Sequence, residues 1–375
     1  MKVAIVKSRV YKGGVTQVLA SMIQVLNDKG IIPDLVTLKS DVDEEIVKKN
    51  YGQDIRFHVR KIAINLRMPY EWHFLYFNLI SRNYLHNYDL IIDSNNTSFL
   101  GQSKIPSINY THYPRKDRVI SNLYSQHLPE GPKKNIFDLK TDPFYLAKFL
   151  YRFDNKMKRK ERIICNSKFT AKKVSEVYPI KNENLEILYP PVQFPNKKVE
   201  SKKQKTVVSL GRFSEEKRQL EQLEIAQQLP EYNFKIIGFS GNGKYLMECK
   251  NKLESEKIKN VEILADIDFA EIEKIMSESQ FFIHNVRNEP FGISTVQAIA
   301  YGCIPVVHNS GGSKEIVNNE SLKFNSANEC ITRFQNLSLK HVDEMNSMRD
   351  AIHLKEYSKE YFMQQFEKIL MNYIQ

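Results

Sequence analysis

Apolar residues in this chain come in short blocks, and the order of the blocks repeats. "MKVAIVKS" at the start is a nearly continuous apolar run, which predicts a parallel strand buried on both faces. "YKGGVTQVLASMIQVLNDKG" follows as a glycine loop, an amphipathic helix and a closing glycine. "PDLVTLKS" then reads as a second strand, so the chain opens on a strand–loop–helix–strand unit, the mark of a doubly wound α/β sheet. "YDLIIDSNN" and "PSINYTHYP" predict further strands. "RIICNSKFTAKKVSEVYP" predicts a strand running through a polar turn into a helix, and "LEILYPPVQFP" a last strand ended by prolines.

"NKKVESKKQK", around residue 200, is polar and lysine-rich and reads as a linker. The pattern then restarts. "TVVSLGRFSEEKRQLEQLEIAQQLP", "NFKIIGFSGNG", "VEILADIDFAEIEKIMSESQ", "FFIHNVRNEPFGISTVQAIAYG" and "IPVVHNSGGSKEIV" each begin as a strand and pass through a turn or glycine loop, all but the second continuing into a helix. "YSKEYFMQQFEKILMNYI" closes the chain as an amphipathic helix. The expected organisation is two Rossmann-like units, residues 1–192 and 193–355, followed by a helix over 356–375. A ligand cleft is expected between the units, because open parallel sheets bind outside the carboxyl ends of their strands.

Composition fits this reading. The chain has 375 residues, 42% hydrophobic and 26% charged, enough for two cores. Its 55 basic against 44 acidic residues give a net charge of +11, which favours an anionic partner or else a lysine-rich solvated surface. The basic residues are dispersed and no nucleic-acid-binding module appears, so a nucleic-acid role is not expected. Four cysteines without metal-ligand spacing point to a reduced, cytoplasmic setting and no structural metal. The N-terminus lacks the pattern of a signal peptide, and no apolar stretch approaches the roughly 20 residues of a spanning helix.

Most of the 14 glycines fall in the strand-to-helix turns, where free N–H groups and a helix dipole suit an anion. In "NEPFGISTVQAIAYG" the N–H groups of Gly292, Ile293 and Ser294 are expected to face a phosphate. Glu289 sits just before that turn, either as an acceptor for sugar hydroxyls or as an acid complementing the helix dipole. In "GRFSEEKRQLEQL", Arg212 and Lys217 suit one diphosphate, the first as a fork and the second as a point charge, or else belong to a solvated face.

Taken together, "KGGVTQVLA", "INYTHYP", "RIICNSKFTAKKV", "LYPPV", "GRFSEEK" and "EPFGISTVQAIAYGCIPVVHNSGG" resemble the family 4 glycosyltransferases of the GT-B fold, in order and over nearly the whole chain. "YTHYP" and "HNSGG" look especially like the dolichol-pathway mannosyltransferases that build lipid-linked oligosaccharide. The resemblance implies two Rossmann-like domains facing across a cleft, with the C-terminal helix packing back toward the N-terminal domain. It implies transfer of a hexose, with retention and without a metal or other cofactor, from a nucleotide-sugar to a glycan or polyprenol-linked acceptor. Mannose from GDP-mannose is the leading donor. A UDP-sugar donor and a catalytically silent scaffold for a partner glycosyltransferase are the alternatives.

By the same resemblance, Arg212 and Lys217 hold the diphosphate and the loop of Gly13 and Gly14 closes over the donor phosphates. Glu289 touches the donor sugar, the backbone of Phe291 to Ser294 faces phosphate, and His112 faces the reaction centre. Gln297 departs from the pattern: it stands where the family's second Glu binds the ribose. A neutral amide still accepts one hydroxyl, at an expected loss of roughly 1 kcal/mol relative to a carboxylate. Aromatic and basic residues in "NLRMPYEWHFLYFNLISRNYLHNY", including Trp72, Phe74, Tyr76 and Phe77, together with "YRFDNKMKRKERI", suggest peripheral contact with an anionic membrane, or else core packing and solvated lysines.

Overall fold

The computed structural model describes every residue except 12, 63–75, 78, 82, 96–104, 115–161, 179, 181, 196–202, 242 and 375. The chain divides into two compact units, Met1–Pro191 with Lys359–Gln375, and Val192–Ser358.

In the first unit the elements are β1 (Val3–Val6), α1 (Gly14–Asp28), β2 (Asp34–Thr37), α2 (Glu44–Tyr51), β3 (His58–Lys61), β4 (Leu90–Asp93), β5 (Ser107–Thr111), β6 (Arg162–Cys165), α3 (Lys168–Val177) and β7 (Leu185–Ile187). The strands form one parallel sheet in the order β3-β2-β1-β4-β5-β6-β7. Successive side chains of a strand point to opposite faces. Val3 and Ile5 therefore join one core with Leu35, Leu90 and Ile92, while Ala4 and Val6 join another with Val36 and Ile91. Burial on both faces is why these strands read as unbroken apolar runs rather than alternating ones.

The second unit holds β8 (Gln204–Leu210), α4 (Gln219–Gln227), β9 (Asn233–Gly238), α5 (Lys244–Ser255), β10 (Val261–Ala265), α6 (Phe269–Glu278), β11 (Ser279–His284), α7 (Ile293–Ala300), β12 (Ile304–His308), α8 (Ser313–Ile316), β13 (Lys323–Phe324), α9 (Ala327–Ser338) and α10 (Val342–Asp350). Its sheet is also parallel, in the order β10-β9-β8-β11-β12-β13. Here too neighbours part: Ile236 packs with Phe213, Leu223 and Cys249, and Ile237 with Val208, Phe282 and Ala298 on another face. Gln204 and Lys205, placed by sequence in the linker, are already β-strand.

The final helix, α11 (Lys359–Ile374), is covalently continuous with the second unit but packs in the first. Phe362, Phe366, Ile369 and Leu370 are buried in the core beneath α1, and Lys29 pairs with Glu367 at its edge. The rings of Phe362 and Phe366 stack at 6.0 Å, and Phe362 meets the Tyr110 ring edge-on at the same distance.

Of the aromatics named for membrane contact, one takes the core-packing alternative. Phe77 is fully buried in a core cluster with Val6 and Ile91, while Tyr76 packs against that cluster partly buried. Trp72, Phe74 and most of the basic run lie outside the described residues. Among the described residues no helix is long and apolar enough to cross a membrane.

Because α11 contributes a stripe of the first unit's core, Phe366→Ala should destabilise that unit by about 3–5 kcal/mol. Urea unfolding followed by circular dichroism reads this directly; a loss under about 1 kcal/mol would show that the helix is only loosely attached.

Candidate active site

The second unit gathers most of the predicted residues at the carboxyl end of its sheet. β11 ends at His284, and the chain then turns through 285–292 into α7. Gly292 is the N-cap of α7 at φ +109, a conformation in which any side chain would be strained. The N–H groups of Gly292, Ile293 and Ser294 have no partner within the helix, as its geometry requires, and form a patch of positive potential. Phe291 is buried, its ring 5.5 Å from that of Tyr357.

The turn is held from behind by the glycine pair after β12. Gly311, at φ +66, lies so close to the backbone of Asn288 and Glu289 that a Cβ there would overlap it, and Gly312 lies equally close to Pro290 and Phe291. The Gly312 N–H donates to the Glu289 carbonyl at 2.7 Å, and the Asn288 N–H donates to Ser310 Oγ at 2.8 Å.

Glu289 and Lys217 meet as an ion pair: Lys217 Nζ donates to Glu289 Oε2 at 2.7 Å, with side chains 23% and 19% exposed. Lys217 closes a single 3₁₀ turn, Glu215–Lys217, its stem lying 3.6 Å from where a Cβ on Gly211 would sit. Arg212 is different. Its side chain is 59% exposed and pairs with Glu216 rather than with Glu289. Gln297 lies in the second turn of α7 and is buried.

Sequence reasoning missed a polar network beneath this site. Ser209 Oγ donates to Gln222 Oε1 (2.7 Å) and Gln222 Nε2 to Asn285 Oδ1 (2.8 Å). Asn285 Nδ2 donates to the Arg218 carbonyl and to Glu221 Oε2, and Arg218 forks onto Glu221. Burial alone would raise the Glu221 carboxyl, but Arg218 and Asn285 outweigh it and hold it below its ordinary value. His284 was missed as well. It is buried, with Nε2 4.0 Å from Glu289 Oε2. The available signal was "IHN", two polar residues closing the apolar run of β11 at its carboxyl end.

Gly13, Gly14 and His112 belong to the first unit. Gly13 is the N-cap of α1, and its N–H donates to the Tyr51 hydroxyl at 2.8 Å, so Gly14 begins the helix while Gly13 has a protein partner. His112 follows β5; its Nε2 lies 3.1 Å from Ser94 Oγ, and the Ser94 carbonyl accepts from Lys7 Nζ. Burial, with the nearby Lys7 ammonium, holds the imidazole well below its ordinary pKa and therefore neutral at pH 7.

Comparison with known proteins adds the family. Residues 12–194 match the model described as Glycosyltransferase Family 4, and residues 193–352 that described as Glycosyl transferases group 1. The chain belongs to the family 4 glycosyltransferases. It is similar to proteins named GDP-Man:Man(3)GlcNAc(2)-PP-Dol alpha-1,2-mannosyltransferase. That of Candida albicans is 28% identical over 56% of this chain and 39% of the relative, and that of Xenopus laevis 27% identical over 55% and 46%. The chain spans about half the length of the curated relatives it matches. Among solved structures, WaaG, a glycosyltransferase involved in lipopolysaccharide biosynthesis, superposes with a TM-score of 0.71 at 14% identity, covering 98% of this chain and 99% of that one. Anabaena HepE in complex with UDP and glucose gives 0.70 at 17%, covering 99% and 100%. The fold of this glycosyltransferase is GT-B.

The buried His284 gives a pH signature. Burial lowers its pKa from 6.5 to about 4, against the opposing pull of Glu289. As pH falls through that window the unfolded chain takes up a proton that the folded chain refuses, so stability is lost with falling pH, by roughly 3 kcal/mol in all. His284→Gln should lose correspondingly less between pH 7 and pH 4 in urea titrations. Equal losses in both proteins would mean that His284 is not the group responsible.

Proposed function

We propose that this glycosyltransferase moves a hexose with retention from a nucleotide-sugar, mannose from GDP-mannose, to a glycan or polyprenol-linked acceptor. The observation that carries the reading is the convergence of Lys217, Glu289 and the N-terminus of α7 at one sheet end. A lysine ammonium has three donors. Lys217 can hold Glu289 with one and a donor phosphate with another, which removes the electrostatic objection to a carboxylate beside a diphosphate. Glu289 is then an acceptor for hydroxyls of the donor sugar.

In the proposed reaction the bond from the sugar's anomeric carbon to the diphosphate oxygen breaks. A bond from the acceptor oxygen to that carbon forms on the same face, and the acceptor's proton passes to the departing phosphate. Charge developing on the leaving group is met by Lys217, by Arg212 once released from Glu216, and by the N–H groups of Gly292 to Ser294. No metal is assigned to the reaction. Neutral His112, steadied by Ser94, is assigned to orient groups at the sugar, and the loop of Gly13 and Gly14 to the donor phosphates. The names of the mannosyltransferase relatives support GDP-mannose and a lipid-linked acceptor. A cytoplasmic protein, peripheral at an anionic membrane, follows from the same reading.

Calorimetric titration with GDP, UDP, GDP-mannose, UDP-glucose and UDP-N-acetylglucosamine, without added metal, tests the donor. GDP and GDP-mannose should bind selectively. Selectivity for uridine nucleotides would replace the donor, and binding without any transfer or donor hydrolysis would favour a silent scaffold. Arg212→Ala and Lys217→Ala should each remove about 2–4 kcal/mol of transition-state stabilisation; an unchanged kcat/KM would refute that assignment. Gln297→Glu should tighten nucleotide binding by up to roughly 1 kcal/mol or leave it equal, whereas a large loss would show a site rebuilt around the amide.

A further inference from the structure

Below Lys217, between the ends of β8 and β11 and the start of α4, lies a small cavity of about 10 Å³ whose lining mixes the polar side chains of Lys217, Gln219 and His284 with the apolar ones of Leu210, Ile283 and Val286. That is room for about one water molecule. Two of its lining groups are buried polar atoms without a hydrogen-bond partner among the described residues, His284 Nε2 and Gln219 Oε1. Both residues are more than nine-tenths buried. The other end of the Gln219 side chain is committed, since Nε2 donates to the Arg212 carbonyl at 2.9 Å, and this turns Oε1 away from that carbonyl. His284 Nε2 faces the ion pair from 4.0 Å, too far for a direct hydrogen bond to Glu289. Leaving either atom unpaired would cost the desolvation of a buried polar group with nothing in return, so a polar molecule joining them is favoured.

We propose that this cavity binds one ordered water that links His284 and Gln219 to the Lys217–Glu289 pair, and that His284 and Gln219 are positioning residues for the donor diphosphate. The donors and acceptors balance. The water accepts from His284 Nε2–H and from one N–H of Lys217, and it donates to Gln219 Oε1 and to the Glu289 carboxylate. Lys217 then has one N–H on Glu289, one on the water and one for a phosphate oxygen. Because Gln219 also holds the Arg212 carbonyl, the same amide fixes the segments that carry both cations. This inference rests on the donor reading above, in which Lys217 meets the diphosphate.

The test measures GDP and UDP affinity and Tm for His284→Phe, Gln219→Leu, His284→Gln and Lys217→Ala, and for the first two combined with Lys217→Ala. His284→Phe and Gln219→Leu should each weaken binding of the preferred nucleotide about tenfold; Tm should be unchanged or raised in His284→Phe, whose apolar ring needs no water, and lowered in Gln219→Leu, which also loses the hydrogen bond to the Arg212 carbonyl. His284→Gln, which restores an N–H donor, should bind within about threefold of the parent. In the Lys217→Ala background His284→Phe should have no further effect, because it acts through that ammonium, and Gln219→Leu should keep only the part it exerts through the Arg212 segment. Full affinity in both His284→Phe and Gln219→Leu, with Lys217→Ala weakened, would overturn the positioning role and leave the donor reading standing. A loss in His284→Phe that accompanies a lowered Tm and adds to that of Lys217→Ala would overturn it too, marking a structural role. Undiminished binding by Lys217→Ala would instead sink the donor reading, and this inference with it. If His284→Phe does not fold, His284→Leu carries the same comparisons.

Discussion

The close approach of Gly311 and Gly312 to the backbone of residues 288–291 is the constraint on which the candidate site depends. No residue with a side chain could stand at either position without moving the turn. Because the turn is fixed there, the Glu289 carboxylate, the buried Phe291 ring and the start of α7 keep a defined relation. A second backbone contact works in the same way: Gly238, ending β9, lies directly against the Gly211 carbonyl and holds the loop that leads to Arg212. The scarce glycines thus serve backbone-to-backbone packing at the sheet end as much as exposure of N–H groups.

Electrostatics follows from this packing. A carboxylate close to a helix N-terminus is already favoured by the dipole, and Lys217 strengthens the arrangement with a half-buried ion pair. The buried network of Ser209, Gln222, Asn285, Arg218 and Glu221 lies beside it, and each hydrogen bond ties the start of α4 to a strand end or to the residue after one. Satisfied networks of this kind resist rearrangement, because breaking one bond strands a buried polar atom. Lys217 sits on a short 3₁₀ turn anchored to that network through Arg218, whose left-handed conformation at φ 56 separates the turn from α4. The cation is therefore held in place although its own segment is short.

The strands were legible because burial on both faces leaves an unbroken apolar run, as in "VAIV" and "FFIH", and the helices after them because glycine and polar turns mark their starts. β3 was not legible: all four of its residues are exposed at a sheet edge, so it carries no apolar signal. α9 and α10 follow no apolar strand long enough to announce them, β13 being two residues. In the site, Glu289, Lys217 and Gly292 stood out by motif. His284 and Gln219 did not, since their roles lie in where their ring and amide atoms point, and sequence spacing carries no such information. The Lys217–Glu289 contact joins residues 72 positions apart and was likewise invisible in one dimension.

The same geometry gives a physical reason for Gln297. Both cations picked out by sequence already face a carboxylate, Lys217 with Glu289 and Arg212 with Glu216. A glutamate at the buried position 297 of α7 would be a buried charge, and a buried charge without its own counter-ion is expensive. An amide at Gln297 keeps an acceptor for a hydroxyl and avoids that cost. The amide thus adds no charge to a turn in which Lys217 already holds Glu289 and, in the proposed reaction, also meets a donor phosphate.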